Sequence, residues 1–375
     1  MKNLFKICFL FAIVAISSCK EAYNPVVTAN NSNLLVVEGI INSGVDSTII
    51  KLSRTVIIAN KTVLNPETGA TLVVESDANE TFPLKEDLKK GTYFALALNL
   101  NSAKKYRLKI STSKGVIYLS DYVEVKTSPV IDEVNYEVKS DGLQVNLNTH
   151  DATNKSIYYR WEYKETWIFH AKFISTLEWD GNSIVPRKIG IHECWGNENS
   201  SKIVLGTTSK LTQDVIFKSP ITFIPSTSEK LSDTYSILVK QYTLTKEAYE
   251  FWQNLKKSTE SLGSIFDAQP SQLTGNIHNA DNQQEPVIGY ISVGTVEQKR
   301  IFVSKDKFPN FRMVYPYECM EPSIATIKSP GDAKQYFGDF TSIPIENAPT
   351  GVYASSRQCA DCTVRGTNKR PAFWQ

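Results

Sequence analysis

The sequence predicts a mostly β protein. Two Ig-like or fibronectin-like β-sandwich domains stand in tandem, the second enlarged by insertions and by one amphipathic helix at about residues 245–262. Three observations predict this. Short alternating segments punctuated by turn residues recur along the chain. A single stretch carries helical periodicity. Thr127-Ser128-Pro129 interrupts the alternation, which then restarts.

The elements follow in order. Leu34–Val37 is an apolar run ending at Glu38-Gly39, and Tyr106-Arg107-Leu108-Lys109-Ile110 alternates as a half-buried strand does. Turn clusters at Asn42-Ser43-Gly44, Asn65-Pro66, Lys89-Lys90-Gly91 and Lys114-Gly115 separate such segments, so residues 34–127 read as an N-terminal β-sandwich. Residues 128–375 read as a C-terminal β-rich domain with a helical insertion and disulfides. Its first hairpin runs through Ser140-Asp141-Gly142, where glycine allows a positive φ, between Val134/Tyr136/Val138 and Leu143/Val145/Leu147. Ile157, Tyr159, Trp161 and Tyr163 alternate next, the tryptophan placed where a sandwich core takes one. In the helix, Ala248, Phe251, Trp252, Leu255 and Leu262 share a stripe, Thr245 caps it and Gly263 stops it. Phe373 and Trp374 read as an anchor for the tail, with the basic residues from Arg365 to Arg370 solvated.

The first residues carry an address. Lys2 and Lys6 precede the ten-residue apolar run Ile7–Ile16, too short to span a bilayer but the right length for a signal peptide. Ile16-Ser17-Ser18-Cys19 resembles the bacterial lipobox, whose cysteine takes the lipid. Residues 1–18 are therefore expected to be a lipoprotein signal peptide, Cys19 the lipid anchor and residues 19–33 a tether. Lys20-Glu21 loosely resembles a surface-export signal, which favours the cell surface over the periplasmic-facing side of the outer membrane.

Composition narrows the function. Among 375 residues, 41 basic and 39 acidic side chains nearly balance, and removing residues 1–18 takes two lysines and no acid. No concentrated positive field is left for nucleic acid. The four histidines, His150, His170, His192 and His278, are too scattered for a histidine-rich metal site, and no cofactor is expected. The motifs of hydrolytic elbows, zinc proteases, P-loops and dinucleotide folds are absent from the sequence. His192 and Cys194 could share a strand face as base and nucleophile, but only if Cys194 is a free thiol.

Cys194, Cys319, Cys359 and Cys362 are even in number, as befits two disulfides in an exported chain, and three connectivities are open to them. In residues 164–190, Trp167, Phe169, Phe173 and Trp179 lack a clean period. They are either an insertion folded onto the core or an exposed aromatic surface for a partner or a sugar.

Several segments together resemble a Bacteroidota lipoprotein family catalogued as domain of unknown function 4249. They are Val37-Glu38-Gly39, Cys194-Trp195 ahead of Ile203–Thr208, Tyr235–Tyr242 leading into Ala248–Trp252, Gln269-Pro270-Ser271, Gly275-Asn276-Ile277, Val287-Ile288-Gly289-Tyr290, Lys299-Arg300, and Cys359-x-x-Cys362 with Pro371–Trp374. The resemblance implies an outer-membrane lipoprotein working beside a TonB-dependent receptor, and it implies no catalytic residue. The expected function is a non-catalytic accessory or substrate-binding subunit of a TonB-dependent uptake system. A stand-alone glycan-binding or adhesion lipoprotein is the alternative, and a hydrolase with an unrecognised carboxylate pair comes third.

Overall fold

A computed structural model describes residues 33–56, 65–260 and 275–374. The signal segment, Cys19, the tether before Asn33, the helix-stop positions Leu262 and Gly263, and Gln269-Pro270-Ser271 lie outside the described residues. The architecture is mostly β and sandwich-like, as the alternation predicts.

In the N-terminal body the strand Lys105–Ser111 shows how the pattern becomes structure. Tyr106, Leu108 and Ile110 are buried in one core, while Arg107 and Lys109 turn outward to Glu75 at 2.8 and 3.4 Å. That strand belongs to a long sheet that curls from Ile117–Ser120 through Lys105–Ser111, Thr71–Ser76, Thr81–Glu86, Thr92–Ala95 and Thr48–Arg54 to Leu35–Asn42. Asn65–Pro66, expected as a turn, is a two-residue strand against Ser53 and Arg54.

The sheet is completed by residues far along the chain. Ser292–Gly294 pairs in parallel with Ile40–Asn42, and Ile277–Asn279 pairs with Tyr118–Ser120. Ile277, Val287, Ile291 and Val293 join the N-terminal core, so that core draws on residues well beyond position 127. Parallel pairing needs a crossover, and here the crossover is most of the second sandwich. The contact is backbone-close. A Cβ on Gly289, at φ 141°, would stand 2.1 Å from the Val37 carbonyl oxygen, and one on Gly275 would stand 1.7 Å from that of Gly289. Three of the segments that carry the family resemblance thus meet at one seam.

The second body is a sandwich. A five-stranded sheet, Glu193–Asn199, Tyr158–His170, Tyr235–Leu244 and Val296–Val303 with Val204–Thr207 alongside, faces a three-stranded sheet of Ile131–Lys139, Gly142–His150 and Val215–Pro225. Between them lie Leu143, Val145, Leu147, Tyr159, Trp161, Ile237 and Val239. Trp161 Nε1 donates to Gln241 Oε1 at 2.9 Å, and the Gln241 amide donates to Pro129 O and Thr149 Oγ1, so the buried polar group is satisfied. The hairpin at Ser140-Asp141 forms as expected, but Gly142 is not among the positive-φ glycines. Its reason is space: a Cβ there would meet Ile224 O at 2.3 Å and Phe223 Cζ at 2.5 Å.

The helix Lys246–Glu260 is capped by Thr245, whose Oγ1 accepts the Ala248 N–H at 3.2 Å. Ala248, Tyr249 and Trp252 pack with Tyr158, Tyr242, Ile40 and Tyr290, which places the helix where the two bodies meet.

A third, smaller assembly closes the chain. The hairpin Ser342–Ala348/Gly351–Ser356, the strand Ser323–Ala325 and the helix Pro330–Phe337 gather around Phe337, Val352 and Ala354. The insertion after His170 is sewn into it: Phe173 N–H donates to Cys359 O at 3.1 Å and Thr176 N–H to Ile345 O at 2.8 Å.

Candidate functional site

The strand Tyr158–His170 connects the parts of the molecule that carry chemistry. Its inward positions read Tyr159, Trp161, Tyr163, Glu165, then the rings Trp167 and Phe169. Glu165 breaks the apolar series and is 3 % exposed. A buried carboxylate needs partners, and it has two: Tyr235 OH donates to its Oε1 at 2.8 Å and Lys230 Nζ to its Oε2 at 2.5 Å. Lys230 also reaches Glu198 Oε2 at 2.6 Å and lies 5.2 Å from the Trp167 ring centroid. Burial alone would lower the Lys230 ammonium, but hydrogen bonds and charge from Glu165 and Glu198 outweigh it and hold it above the usual lysine range. Burial, reinforced by Glu165, pushes the Tyr235 phenol well up, so it stays a donor.

Lys230 sits on the short turn Glu229–Leu231, started by Ser228. Its neighbour Glu229 reaches the opposite way, to Arg365 at 2.7 Å. The Arg365 guanidinium lies 4.5 Å from the Phe169 centroid and 4.6 Å from that of Tyr317. One turn therefore ties the sheet to the C-terminal tail. The expectation that the tail's basic residues are solvated is corrected for Arg365, which is drawn inward by Glu229 and two rings. The tail anchor is Trp374, buried against Trp195 and Phe302, with Phe373 over Arg300 at 3.7 Å.

Beside Glu165 opens a cleft of about 190 Å³, bounded by strands Tyr158–His170 and Val215–Pro225 and by the turn at 199–202. Phe223, at its edge, is 40 % exposed, with its ring over Gly142 on the outer face of the sheet. Glu198, Asn199, Ser201 and Lys202 form the rim.

Both disulfides are defined: Cys194–Cys362 with Cα atoms 5.7 Å apart, and Cys319–Cys359 at 5.9 Å. The two cysteines of the C-x-x-C each pair with a distant partner. Cys194 is therefore no nucleophile for His192. His192 instead packs against His170 with ring centroids 5.0 Å apart. Burial first, and the charge of His170 second, hold its pKa below the usual value. A depressed folded-state pKa contributes stability that is present above the unfolded pKa and lost as pH falls through the folded one. The melting temperature is expected to drop as pH is lowered from about 7 to 5, and His192→Gln to flatten that drop in a pH series of thermal melts.

The four rings singled out from the sequence do not form one surface. Phe169 is 1 % exposed, in a cluster with Cys194 and Cys362. Trp167 is half-buried between that cluster and the sandwich core, Phe173 packs on the Ile191/Ile343/Ile345 cluster, and Trp179 on the one around Phe337. Of the two alternatives the sequence leaves open, the four rings follow the first: the insertion contributes them to packing, because the C-terminal assembly covers it. Phe169→Ala is expected to cost about 3–5 kcal/mol in urea unfolding, whereas a ring serving only a surface would leave the midpoint unchanged.

The family described as a domain of unknown function (DUF4249) matches residues 20–300. The chain belongs to the DUF4249 family. The match takes in the first sandwich, the second as far as the middle of the strand Val296–Val303, the Glu165–Lys230 network and the cleft, and it ends before Cys319, Cys359, Cys362 and the Pro371–Trp374 tail. No individual curated protein matches the chain. Of the residues that build the cleft, sequence reasoning missed Glu165, Glu198, Lys230 and Phe223. Only Glu165 left a signal, a charge at an inward position of an alternating strand.

Proposed function

We propose that this DUF4249 chain is a non-catalytic lipoprotein of the bacterial outer membrane and an accessory or substrate-binding subunit of a TonB-dependent uptake system. The observation that carries the reading is the pair of disulfides, in a chain whose Ile16-Ser17-Ser18-Cys19 resembles a lipobox. Disulfides belong to an oxidising, exported compartment, and a lipid on Cys19 keeps the exported body at a membrane. Among the described residues no helix is long and apolar enough to cross one. The resemblance to Bacteroidota lipoproteins supplies the barrel as partner. The stand-alone glycan-binding reading draws support from one feature, the cleft beside Glu165.

The test is fractionation of cells expressing the intact chain and its Cys19→Ala variant, with protease added to intact cells. The reading expects wild type in the outer-membrane fraction and digested from outside, and the variant released. A wild-type protein that is soluble without its lipid removed would sink the reading.

A further inference from the structure

We propose that the outer face of the five-stranded sheet, around Leu238, binds a phosphate monoester between Lys164, Lys240 and Arg300. This rests on the substrate-binding reading of the chain and names its ligand class.

Alternation and register build the site. Tyr159, Trp161, Tyr163, Ile237 and Val239 point into the sandwich core, so Lys164, Leu238 and Lys240 take the opposite face. Lys164, Leu238 and Arg300 stand side by side on three neighbouring strands, and Lys240 lies two residues along the middle one. With strands about 4.8 Å apart, the three cations are within about 10 Å of one another at the backbone. Arg160, stacked on Trp252 at 3.7 Å, bounds this strip on one side, and Phe373 of the tail bounds it on the other.

The charges here are unmatched. Arg300 is half-buried, and its partners are the Ser236 hydroxyl, to which Nη1 donates at 3.0 Å, and the Phe373 ring. Burial lowers its pKa and no carboxylate offsets that. The other half-buried arginines among the described residues, Arg54, Arg107, Arg160, Arg187 and Arg365, each reach a glutamate. Lys164 and Lys240 make no hydrogen bond or ion pair with any described residue. Glu162, opposite Lys240 in register, is taken by Arg160 and by the Tyr242 hydroxyl. The segment from Cys362 to Trp374 has no acidic residue, and Arg370, whose Nε donates to Trp374 O at 3.1 Å, adds a further positive charge at that side. In a chain whose basic and acidic side chains nearly balance, such a set fits an anion from outside.

The chemistry selects the anion. A guanidinium fork takes two oxygens of one group in parallel, and an ammonium on a flexible stem reaches another. A carboxylate has a single charge and two oxygens, which Arg300 alone would use. A phosphate monoester carries about −1.5 to −2 charges near neutral pH and three acceptor oxygens, enough for the fork and both ammoniums. Lys164 is exposed, so the organic part of the ester runs out over it into solvent. Phe373, against the guanidinium, is a positioning residue.

The experiment is isothermal titration calorimetry of the full lipidated chain in a non-ionic detergent, at constant ionic strength. The probe is glycerol phosphate, with acetate as the single-charge comparison. Glycerol phosphate is expected to bind at least about tenfold more tightly than acetate. Arg300→Gln and the double variant Lys164→Gln/Lys240→Gln are each expected to weaken it by at least about tenfold. The double variant leaves the contact between Arg300 and the tail in place, so it decides the matter if Arg300→Gln loosens the tail. Lys210→Gln provides the control. Lys210 is exposed and unpaired among the described residues, in the turn after the strand Val204–Thr207, and its removal is expected to change nothing. Thermal melts confirm that each variant is folded. Vesicles of phosphatidylglycerol, a phosphodiester, separate a soluble ligand from a lipid headgroup: the Cys19→Ala chain, with no lipid to insert, is expected to stay in the supernatant. No binding of glycerol phosphate, equal affinity for acetate, equal loss in Lys210→Gln and the double variant, or sedimentation with the vesicles overturns the proposal. The two readings fail separately. A barrel recovered with the chain while no glycerol phosphate binds removes the phosphate site and leaves the uptake reading. Glycerol phosphate binding lost in the double variant with no barrel recovered keeps the site and removes the uptake role.

Discussion

Replacing Cys194 and Cys362 together by alanine is expected to destabilise the protein by about 5 kcal/mol, and to do so first in the C-terminal assembly. In the chain-entropy account, a cross-link removes freedom from the unfolded chain in proportion to the logarithm of the loop it closes. A separation of 168 residues corresponds to about 5 kcal/mol, and the 40 residues of Cys319–Cys359 to about 4. Alanine is the right substitute because both sulfurs are buried beside Phe169, where a serine hydroxyl would add a cost of its own. The longer bridge also holds the contact that docks the tail. Trp195 exchanges backbone hydrogen bonds with Thr367, and Arg365 reaches Glu229 from the same stretch. Limited proteolysis should therefore cut the variant near residues 363–374 at denaturant concentrations that leave wild type intact. Equal urea midpoints for variant and wild type would show that Glu229, Trp374 and the strand pairing hold the tail unaided.

The second large effect is expected from Lys230→Ala. Glu165 is nearly inaccessible to water, so without its ammonium it is left charged and short of one partner. Breaking a buried pair from one side costs about 3–5 kcal/mol, whereas replacing both charges with groups of similar volume is often neutral. Glu165→Gln/Lys230→Met should therefore recover most of what Lys230→Ala loses, with Tyr235 still donating to the residue at 165. The pH dependence has a definite sign. The folded-state pKa of Lys230 is raised, so its contribution is fully present below the unfolded value of 10.5 and is lost as pH rises through the folded one. Urea titrations of the two variants and wild type at neutral and alkaline pH check both statements. A double variant as unstable as the single one would mean that packing of the lysine stem, not charge, sets the cost.

The first effect rests on a cysteine pairing that the sequence leaves open and the second on two residues it does not single out, and the reason is physical. Alternation is a local property, so Tyr106/Leu108/Ile110 and Leu143/Val145/Leu147 show their buried faces without further information. The helix at 246–260 is equally local, with its cap at Thr245 and its apolar stripe. What escaped is what depends on distant partners. Residues 277–293 carry short apolar runs that fit any sandwich, and only pairing with Tyr118–Ser120 and with Ile40–Asn42 assigns them to the first body. Four cysteines are compatible with three pairings until the chain brings Cys194 to Cys362. Trp167, Phe169, Phe173 and Trp179 lack a period because they pack on separate clusters rather than on one face. Gly142 in a Ser-Asp-Gly turn suggests backbone freedom, but what the fold uses is the room it leaves for Ile224 O and the Phe223 ring. The cleft was legible only through Glu165, since Glu198, Lys230 and Phe223 come from other elements and are ordinary surface residues in the sequence.

The proposed role puts the chain at the outer membrane as a subunit of an uptake barrel. The most direct measurement is affinity purification of the C-terminally tagged, lipidated protein from detergent-solubilised outer membranes, followed by mass spectrometry of what it brings down. A TonB-dependent barrel is expected in near one-to-one amount. Recovery of the lipoprotein alone, under conditions that keep other membrane complexes intact, would contradict it.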